Sequence, residues 1–595
     1  MTVSSSYPDS ATPVTILLTS IWKQLRTARR AQFFLLLIVM CVSALSEVAS
    51  LGAFMPLLEV LGANNNLMQH TLFYHFFPLE AHLSKLTVVI ASFIIFGITV
   101  LLAALIRLSN LWLNLHFVSA IGSDLSSLAF TKLLGQSYED YILRNSSKDL
   151  TALTKHISVT VYSLNAILQM ITSAIVAAAL LIWLFVINSL AALIAISFFA
   201  LIYAIIAFNS RRELKYNGSL LAIASTLQVR ILQESFNAFR EILINQSQGY
   251  YANLYLNAEQ RRNSLQASTL FLAQYPRYVV EATSLISLAI IGGVLFIQGP
   301  SSSTLIPTLG TIALGAQRLL PSLQHIYGGW ATIRSSNADI TSVVNILNKD
   351  MRPLSPKPKT LSFTESIQFD NVSYAYKSRS ELILYNTCWK INKGDSIGLI
   401  GKTGSGKSTV IDLVAGLLRP TDGKILIDGV PLHDDSRPQR LESWISSIAY
   451  VPQSICLLDK TIAENIAFGE LEEDIDPVRL ESAAKRAQIS EFIQSLPNQY
   501  KTVVGERGVQ LSGGQCQRIA IARALYREAD LIILDEATSA LDSETELALM
   551  SFVQHLPTHV TIIMIAHRLS TLKSCDKVFR LDNGRLMLLA PNDLT

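Results

Sequence analysis

Between residues 33 and 330 the chain carries six apolar runs of membrane-spanning length, and no other feature restricts its fold so severely. They cover roughly 33–61, 86–115, 160–187, 189–209, 268–297 and 304–330. About 20 apolar residues in helical form cross a bilayer core. Inside hydrocarbon each backbone N–H and C=O must be paired within its own segment, so these runs predict six transmembrane helices. Only Asn188 and Ser189 separate the third run from the fourth, which predicts a tight hairpin there.

The connections alternate in character. Those after the second and fourth runs are long and polar, with Lys132, Arg144, Lys148 and Lys155, then Arg211, Arg212, Lys215, Arg230, Arg240, Arg261 and Arg262. The opposite connections carry almost no basic residues, and Lys23, Arg26, Arg29 and Arg30 precede the first run. Lys and Arg mark the cytoplasmic side, so both termini and the long loops are expected in the cytoplasm. The run after Arg30 is too long for a signal peptide and lacks a small-residue cleavage pattern. Residues 1–13 are polar and expected to be disordered. Val14 to Arg26 places Leu17, Leu18, Ile21, Trp22 and Leu25 on one helical face. That face predicts either a helix lying in the membrane interface or a cytoplasmic extension of the first span. Residues 64–84 hold Leu67, Phe73, Tyr74, Phe76 and Phe77, which predict either a short helix on the outer membrane surface or an ordinary loop packed on its neighbours; His70, His75 and His82 lack metal-ligand spacing.

An ionisable residue inside a span costs about 2.5 to 3.5 kcal/mol on insertion, so Glu47, Glu281, Arg107, Arg277 and Arg318 each need a reason. One reading makes them a substrate site, the arginines forming a basic belt in an inward-open cavity that receives an anionic head group. The other makes the arginines snorkelling anchors or ion-pair partners, for instance of Glu281 on a neighbouring helix. Pro56, Pro276, Pro307 and Pro321 would kink or loosen their helices.

Asn348 to Ser362, rich in Pro and Lys, marks a domain boundary. The expected division is an N-terminal stretch 1–30, a transmembrane domain 31–347, a linker 348–362 and a soluble α/β domain 363–595. Strands are expected around 366–374 and 388–400. Gly401 to Ser408 reads GKTGSGKS, followed by Thr409, between the apolar run Ser396 to Ile400 and a helical segment Thr409 to Leu418. Strand, loop and helix in this order make a phosphate-binding loop. Gly401, Gly404 and Gly406 let the backbone aim its N–H groups at an anion, while Lys407 supplies a charge and Ser408 a hydroxyl for Mg²⁺. Thr403, Ser405 and Thr409 complete the nucleotide candidates. Such a pattern recurs by chance in roughly a few of every hundred chains of this length. The five cysteines, Cys41, Cys388, Cys456, Cys516 and Cys575, stand far apart and argue for a reduced compartment rather than a disulfide framework.

Further motifs follow in order: LSGGQ at 511–515, LIILDE at 531–536, SALD at 539–542 and AHRLST at 566–571. Chance places LSGGQ in a chain this long on the order of once in a thousand. The set resembles the ATP-binding-cassette family, and with six preceding spans the whole chain looks like a half-size exporter of that family. The resemblance implies an all-α six-helix transmembrane domain followed by an α/β P-loop ATPase domain with a helical subdomain, using ATP and Mg²⁺. It implies that Tyr376, rather than Tyr374, stacks on adenine, and that Gln453 touches Mg²⁺ and reports to the membrane domain. By the same resemblance Asp535 holds Mg²⁺, Glu536 polarises the attacking water, and His567 contacts the γ-phosphate beside Lys407. Ser512, Gly513, Gly514 and Gln515 would close over ATP bound to the other subunit, with Asp542 at the same junction. The expected partner is therefore a second copy, in a symmetric dimer. Cys516, where the family commonly has a basic or polar residue, is a departure expected to have little effect beyond opening the site to thiol reagents. Residues 136–149 and 244–254 stand where the family couples its two domains.

For the transported substrate the resemblance leans, through lipid-linked-oligosaccharide flippases and polysaccharide exporters, to a lipid or lipid-linked oligosaccharide. The alternative is an exporter of peptides or hydrophobic drugs, which calls for a more aromatic, uncharged cavity than these Leu-, Ile- and Ala-rich spans. No peptidase domain precedes the spans, which argues against the processing type of peptide exporter. Intact Glu536 and His567 argue against a nucleotide-gated channel, and nucleic acid is not an expected partner.

Overall fold

The computed structural model describes residues 13–53, 85–187, 189–297, 302–351, 360–377, 381–434, 436–437, 439–535, 559–566, 572 and 575–589. The chain divides into two units: Met1–Gln136 with Arg144–Met351, and Ser137–Leu143 with Arg352–Thr595. A short piece of the first long loop therefore belongs with the C-terminal unit.

In chain order the helices that matter below are α1 (Val14–Gln24), α2 (Thr27–Gly52), α3 (Lys85–Leu134), α4 (Tyr138–Ile142), α5 (Ile157–Ile187), α6 (Ser189–Asn237), α7 (Gln248–Ile297), α8 (Ser302–Ser335) and α9 (Asn337–Leu347). The six apolar runs fall on α2, α3, α5, α6, α7 and α8, and α5 gives way to α6 at the expected hairpin. Among the described residues, Thr27–Ser50, Ile90–Leu134 and Ser146–Val186 are long and apolar enough to cross a membrane by length and composition alone. Helices α3 and α7 each have 50 residues, or about 75 Å of helix, far more than a bilayer needs. The basic loop segments thus continue the helices beyond the hydrocarbon.

The first unit is apolar outside as well as inside. Leu101, Leu105, Leu108 and Trp112 of α3 are exposed, whereas Asn110, Asn114, Thr160 and Ser163 are buried. Helices packing in lipid place small and polar groups between them, and Leu loses nothing by facing acyl chains. Nearer its polar end the unit has a water-type core, in which Phe117, Ile121 and Leu125 meet Ile340, Val343 and Leu347. Helix α1 joins this core through Leu17 and Ile21, and Leu25 just after it does the same, all three buried. Its apolar face is covered by protein, and Leu25 in extended conformation separates it from α2. The face on which the interfacial-helix expectation rested is thus packed against α9.

The second unit holds two sheets. One is antiparallel, ordered β2-β1-β4-β5, from β1 (Ser366–Tyr374), β2 (Leu384–Asn392), β4 (Asp422–Ile427) and β5 (Val430–Pro431). The other is ordered β10-β9-β3-β8-β7-β6, from β3 (Ser396–Ile400), β6 (Ile448–Val451), β7 (Leu531–Asp535), β8 (Thr561–Ile565), β9 (Lys577–Asp582) and β10 (Arg585–Leu588). All its pairs are parallel except β9 with β10. Its interior strands β7 and β8 are buried at every residue, as uniformly apolar strands covered on both faces must be. The single strand expected at 388–400 is two strands of different sheets. Gly394, at φ +82°, turns the chain between them, and Asp395 accepts the Asn392 N–H at 2.9 Å. Helix α10 (Lys407–Val414) covers the parallel sheet through Val410 and Leu413. Helices α11 (Ile462–Ile466), α12 (Pro477–Arg486) and α13 (Gly513–Tyr526) form a second core with Ile462, Ala484 and Ile519.

Candidate nucleotide site

The parallel sheet sets one edge of the second unit as a ligand platform. Leu399 of β3 and Asp535 of β7 both stand level with Ile565 of β8, which runs between them. Neighbouring strands are spaced about 4.8 Å, so the end of β3 and the Asp535 carboxylate lie on the same edge about 10 Å apart. Gln453 follows β6 on that edge too. Ligands of open α/β sheets bind outside such carboxyl ends.

The loop after β3 is shaped by its glycines. Gly404 and Gly406 have φ of +82° and +103°, values that residues with a Cβ rarely adopt. A Cβ on Gly406 would also sit 2.5 Å from Ile383 Cγ2. Lys407, only 7% exposed, folds back to donate to the carbonyls of Gly401 at 2.9 Å and Lys402 at 3.3 Å. The Ser405 hydroxyl is buried without a hydrogen-bond partner. A buried hydroxyl left unsatisfied is costly, and a phosphate oxygen is the partner this loop is built to admit.

Asp535 is buried and accepts a hydrogen bond from the Tyr450 hydroxyl at 2.9 Å. Burial, then the charge of Asp535, pushes the nearby Asp412 carboxyl up to about 7. The two acids thus oppose each other's ionisation, and a cation beside them relieves that opposition. Ser408 hydroxyl, Gln453 amide and Asp535 carboxylate are hard oxygen donors of the kind Mg²⁺ takes, and the residues fit that ion. Among the described residues no cluster of three or more His, Cys, Asp and Glu offers an alternative metal site.

Tyr376 shares a hydrogen bond with Thr409 Oγ1 at 3.2 Å and meets Tyr374 edge to face at 5.2 Å. Tyr374 is 1% exposed, so only Tyr376 keeps surface for a base. Ser512 and Gln515 have a local task in addition to the expected one. Ser512 caps α13, its Oγ accepting the Gln515 N–H at 3.3 Å while Gln515 Oε1 accepts the Ser512 N–H at 2.9 Å. A Cβ on Gly513 would meet nothing within 4 Å, so this helix start is open, with the partial positive charge of its backbone facing out. Burial pushes the Cys516 thiol up, which lowers its thiolate fraction and runs against the expected thiol sensitivity. Glu536, His567 and Asp542 lie outside the described residues, as do residues 1–12 and the aromatic stretch 64–84.

Sequence reasoning missed Tyr450, Asp412 and Tyr138. Tyr450 is the one exposed residue of β6, a signal in retrospect. Tyr138 belongs to α4, the piece of the first expected coupling stretch that joins the second unit. Ser137 caps α4, and Glu139 and Asp140 pair with Lys377 at 3.3 and 3.6 Å. Tyr138 packs against the sheet core, and burial and the charge of Asp412 raise its phenol. The second coupling stretch begins at the end of a short helix, Phe239–Ile244, turns through Gln246 at φ +49°, and enters α7 at Gln248.

In the first unit the five ionisable candidates separate. Glu47, its side chain 13% exposed, pairs with Arg107 at 3.4 Å and Arg318 at 3.1 Å. Glu281, the acid expected to take an arginine, makes no ion pair among the described residues; nor does Arg277, which lines a cavity.

The sequence profile described as "ABC transporter" matches residues 384–539. The ATP-dependent lipid A-core flippase of Dechloromonas aromatica is 32% identical over 424 residues, 71% of each chain. That of Nitrosococcus oceani is 31% identical over 472 residues, 78% of this chain and 77% of the relative. A bacterial Atm1-family ABC exporter solved with ATP bound has the same fold, with a TM-score of 0.77 and 23% identity over 96% of this chain and 97% of that one.

Proposed function

Because this chain belongs to the ABC transporter family, we propose that two copies of it form an ATP-driven flippase that carries an anionic lipid or lipid-linked saccharide outward across a bacterial inner membrane. The chain is a multi-pass membrane protein, and its nucleotide unit couples ATP hydrolysis to transport. The observation that carries the reading is the joining of a phosphate loop and buried Asp535 to spanning helices, one loop of which lies in the nucleotide unit as α4. The relatives named above as lipid A-core flippases support a lipid as substrate.

The nucleotide unit works chiefly by positioning and charge neutralisation. The loop 401–409 holds the phosphates, Lys407 supplies its charge to their outer oxygens, and Tyr376 receives the base. Ser408, Gln453 and Asp535 would hold Mg²⁺, which when bound neutralises charge on the β- and γ-phosphates. Tyr450 fixes the Asp535 carboxylate that faces that position. Glu536, next to Asp535 in sequence, orients the attacking water, and His567 supports the γ-phosphate. The open helix start at Ser512 to Gln515 supports closure of each site by this segment of the facing copy in a homodimer. ATP binds the closed pair better than the open one, so binding shifts the helical units outward and hydrolysis resets them. The two cytoplasmic tips, α4 and the turn at 245–247, pass the change on.

The test is purified protein in proteoliposomes, assayed for ATP hydrolysis and for translocation of a labelled glycolipid. ATP-dependent translocation of the lipid supports the reading. Hydrolysis stimulated by amphipathic cations or peptides, with no lipid moved, replaces it with the exporter alternative.

A further inference from the structure

The helical unit holds two adjoining cavities of opposite character. One, of about 320 Å³, is lined almost wholly by carbon, with Leu181, Phe199, Leu319 and Leu323 among its walls. The other, of about 490 Å³, is lined by Gln169, Gln274, Gln324, Tyr278, Thr332 and Arg277. Tyr203 and Tyr327 line both, so the two spaces share a wall. Each volume falls within or near the roughly 300 to 1,000 Å³ of small-molecule sites.

Their linings overlap, with Trp330 of the apolar cavity falling between Gln324 and Thr332 of the polar one, but are offset along α8 and α5. On α8 the apolar residues Leu319 and Leu323 precede the polar Gln324 and Thr332, and the helix then runs toward α9 and the linker. On α5 the polar Gln169 precedes the apolar Leu181, and α5 begins at the same polar end. The polar cavity therefore lies toward the ends of the spans that lead to the nucleotide unit, and the apolar one deeper. An amphiphile seated in that leaflet has the same polarity, head group outermost and chain within.

The polar cavity is built, not incidental. Pro276 sits inside α7 and has no N–H for the Leu272 carbonyl. The Tyr327 hydroxyl of α8 donates to that carbonyl at 3.1 Å instead. This bond ties the broken turn of α7 to α8 and places Gln274, Arg277 and Tyr278 on the wall around the break. The chemistry of the lining is specific. Three amides and several hydroxyls offer paired donors and acceptors, as a polyhydroxylated ring requires, and a tyrosine ring offers an apolar face. The one lining cation without an ion-pair partner among the described residues, Arg277, suits one phosphate or pyrophosphate. Arg107 and Arg318, by contrast, are already served by Glu47.

We infer that the Gln169–Gln274–Arg277–Gln324 cavity binds the phosphorylated saccharide head of the transported glycolipid, and that the apolar cavity beside it takes part of the lipid chain. This rests on the lipid-flippase reading and assigns it a site within one subunit.

The test uses the full-length protein in nanodiscs with a Thr332→Cys reporter, whose maleimide labelling is followed by peptide mass spectrometry. The probes are a polyprenyl-pyrophosphoryl oligosaccharide, lipid A bearing core sugars, the sugar-free polyprenyl pyrophosphate and phosphatidylglycerol. One or both saccharide lipids should slow labelling roughly tenfold at concentrations where the sugar-free lipids slow it less than twofold, and which of the two does so identifies the carrier. Independently, Arg277→Gln should raise the glycolipid concentration for half-maximal ATPase stimulation about tenfold, as loss of a charge-assisted hydrogen bond does, with Arg277→Lys in between. Equal protection by sugar-free lipids, or none by any, overturns the assignment, as does an Arg277→Gln response equal to the wild type. Translocation is measured on the same preparations. If glycolipid is moved while the Thr332→Cys reporter still labels freely in its presence, the cavity alone is misassigned; if the wild type moves none, the flippase reading itself fails.

Discussion

The two units of this chain solve different problems, and their residues show it. In the nucleotide unit the chemistry dictates residue type. A phosphate calls for glycines at positive φ, one lysine and a hydroxyl, and a metal calls for a carboxylate at a strand end. In the helical unit nothing dictates type except cost, so its working parts are an ion triad on three helices, Glu47 with Arg107 and Arg318, and a cavity made by packing. Sites that make or break bonds are written in short fixed strings. Sites that only receive and release a molecule are distributed over helices far apart in sequence.

The sharpest way to break that contrast lies at Glu536. Changing Glu536 to Gln should leave nucleotide binding intact and lower ATP turnover by about 10² to 10⁴, the usual contribution of a positioned acid or base. Steady-state hydrolysis with a nucleotide-binding assay on the same protein decides it. Persisting turnover would mean that the most readable string in the chain had been misread.

The next effect falls on the helical unit. Glu47→Ala leaves two arginines at membrane depth without their acid, and breaking a buried pair costs about 3 to 5 kcal/mol. The arginine side chains are 38% and 35% exposed, so screening reduces the expected loss to about 1 to 3 kcal/mol. Thermal unfolding in lipid nanodiscs should show it, and Arg318→Ala in the same chain should recover part of the loss. A Glu47→Ala protein as stable as the wild type would mean that the arginines do not depend on Glu47 and would reopen the choice between a basic belt and snorkelling anchors.

That pair also marks the limit of what the sequence says. Five ionisable residues stand out in the spans by cost alone, but the partner of the arginines is Glu47 and not Glu281. The choice depends on which faces of α2, α3 and α8 meet, over separations of 60 and 271 residues, and no periodicity carries that. The same ambiguity hid α1, because a face that would bury itself in lipid buries itself equally well against α9. It hid the cavities too, since glutamines on three helices are unremarkable until packing brings them together. The loop 401–409, Gln453 and Asp535 could be placed because the parallel sheet sets the ends of β3, β6 and β7 on one edge whatever the loops do, whereas Tyr376, after β1 of the antiparallel sheet, came from the family resemblance alone. Tyr450 and Asp412 escaped because they act on Asp535 and not on the nucleotide, so no motif requires them.

A smaller test asks whether the signature segment is purely functional. Ser512→Ala removes the hydroxyl that caps α13 and half of its capping box with Gln515, a loss of about 1 kcal/mol. Measured without nucleotide, where no dimer closure contributes, denaturant unfolding of the nucleotide unit should shift by that amount. No shift would mean that Ser512 is held for the facing site alone.

The smallest expected effect is the most useful for the comparison, since it lies where one unit's loop has joined the other. Glu139 and Asp140 of α4 hold Lys377, one residue after Tyr376, to which the base is assigned above as a proposal. Lys377 is 62% exposed, so the pair should contribute under about 1 kcal/mol and weaken with salt. Glu139→Lys and Lys377→Glu should each speed amide exchange across residues 137–143 severalfold, and the two together should restore it. Because Tyr138 stays packed on the sheet in every variant, the swap isolates the charge from the apolar docking. Restored exchange without restored lipid stimulation of hydrolysis would mean that α4 is anchored by its charges but transmits through Tyr138. Restoration of both would make the Glu139–Lys377 contact itself the link between the adenine side of the site and the helices that move.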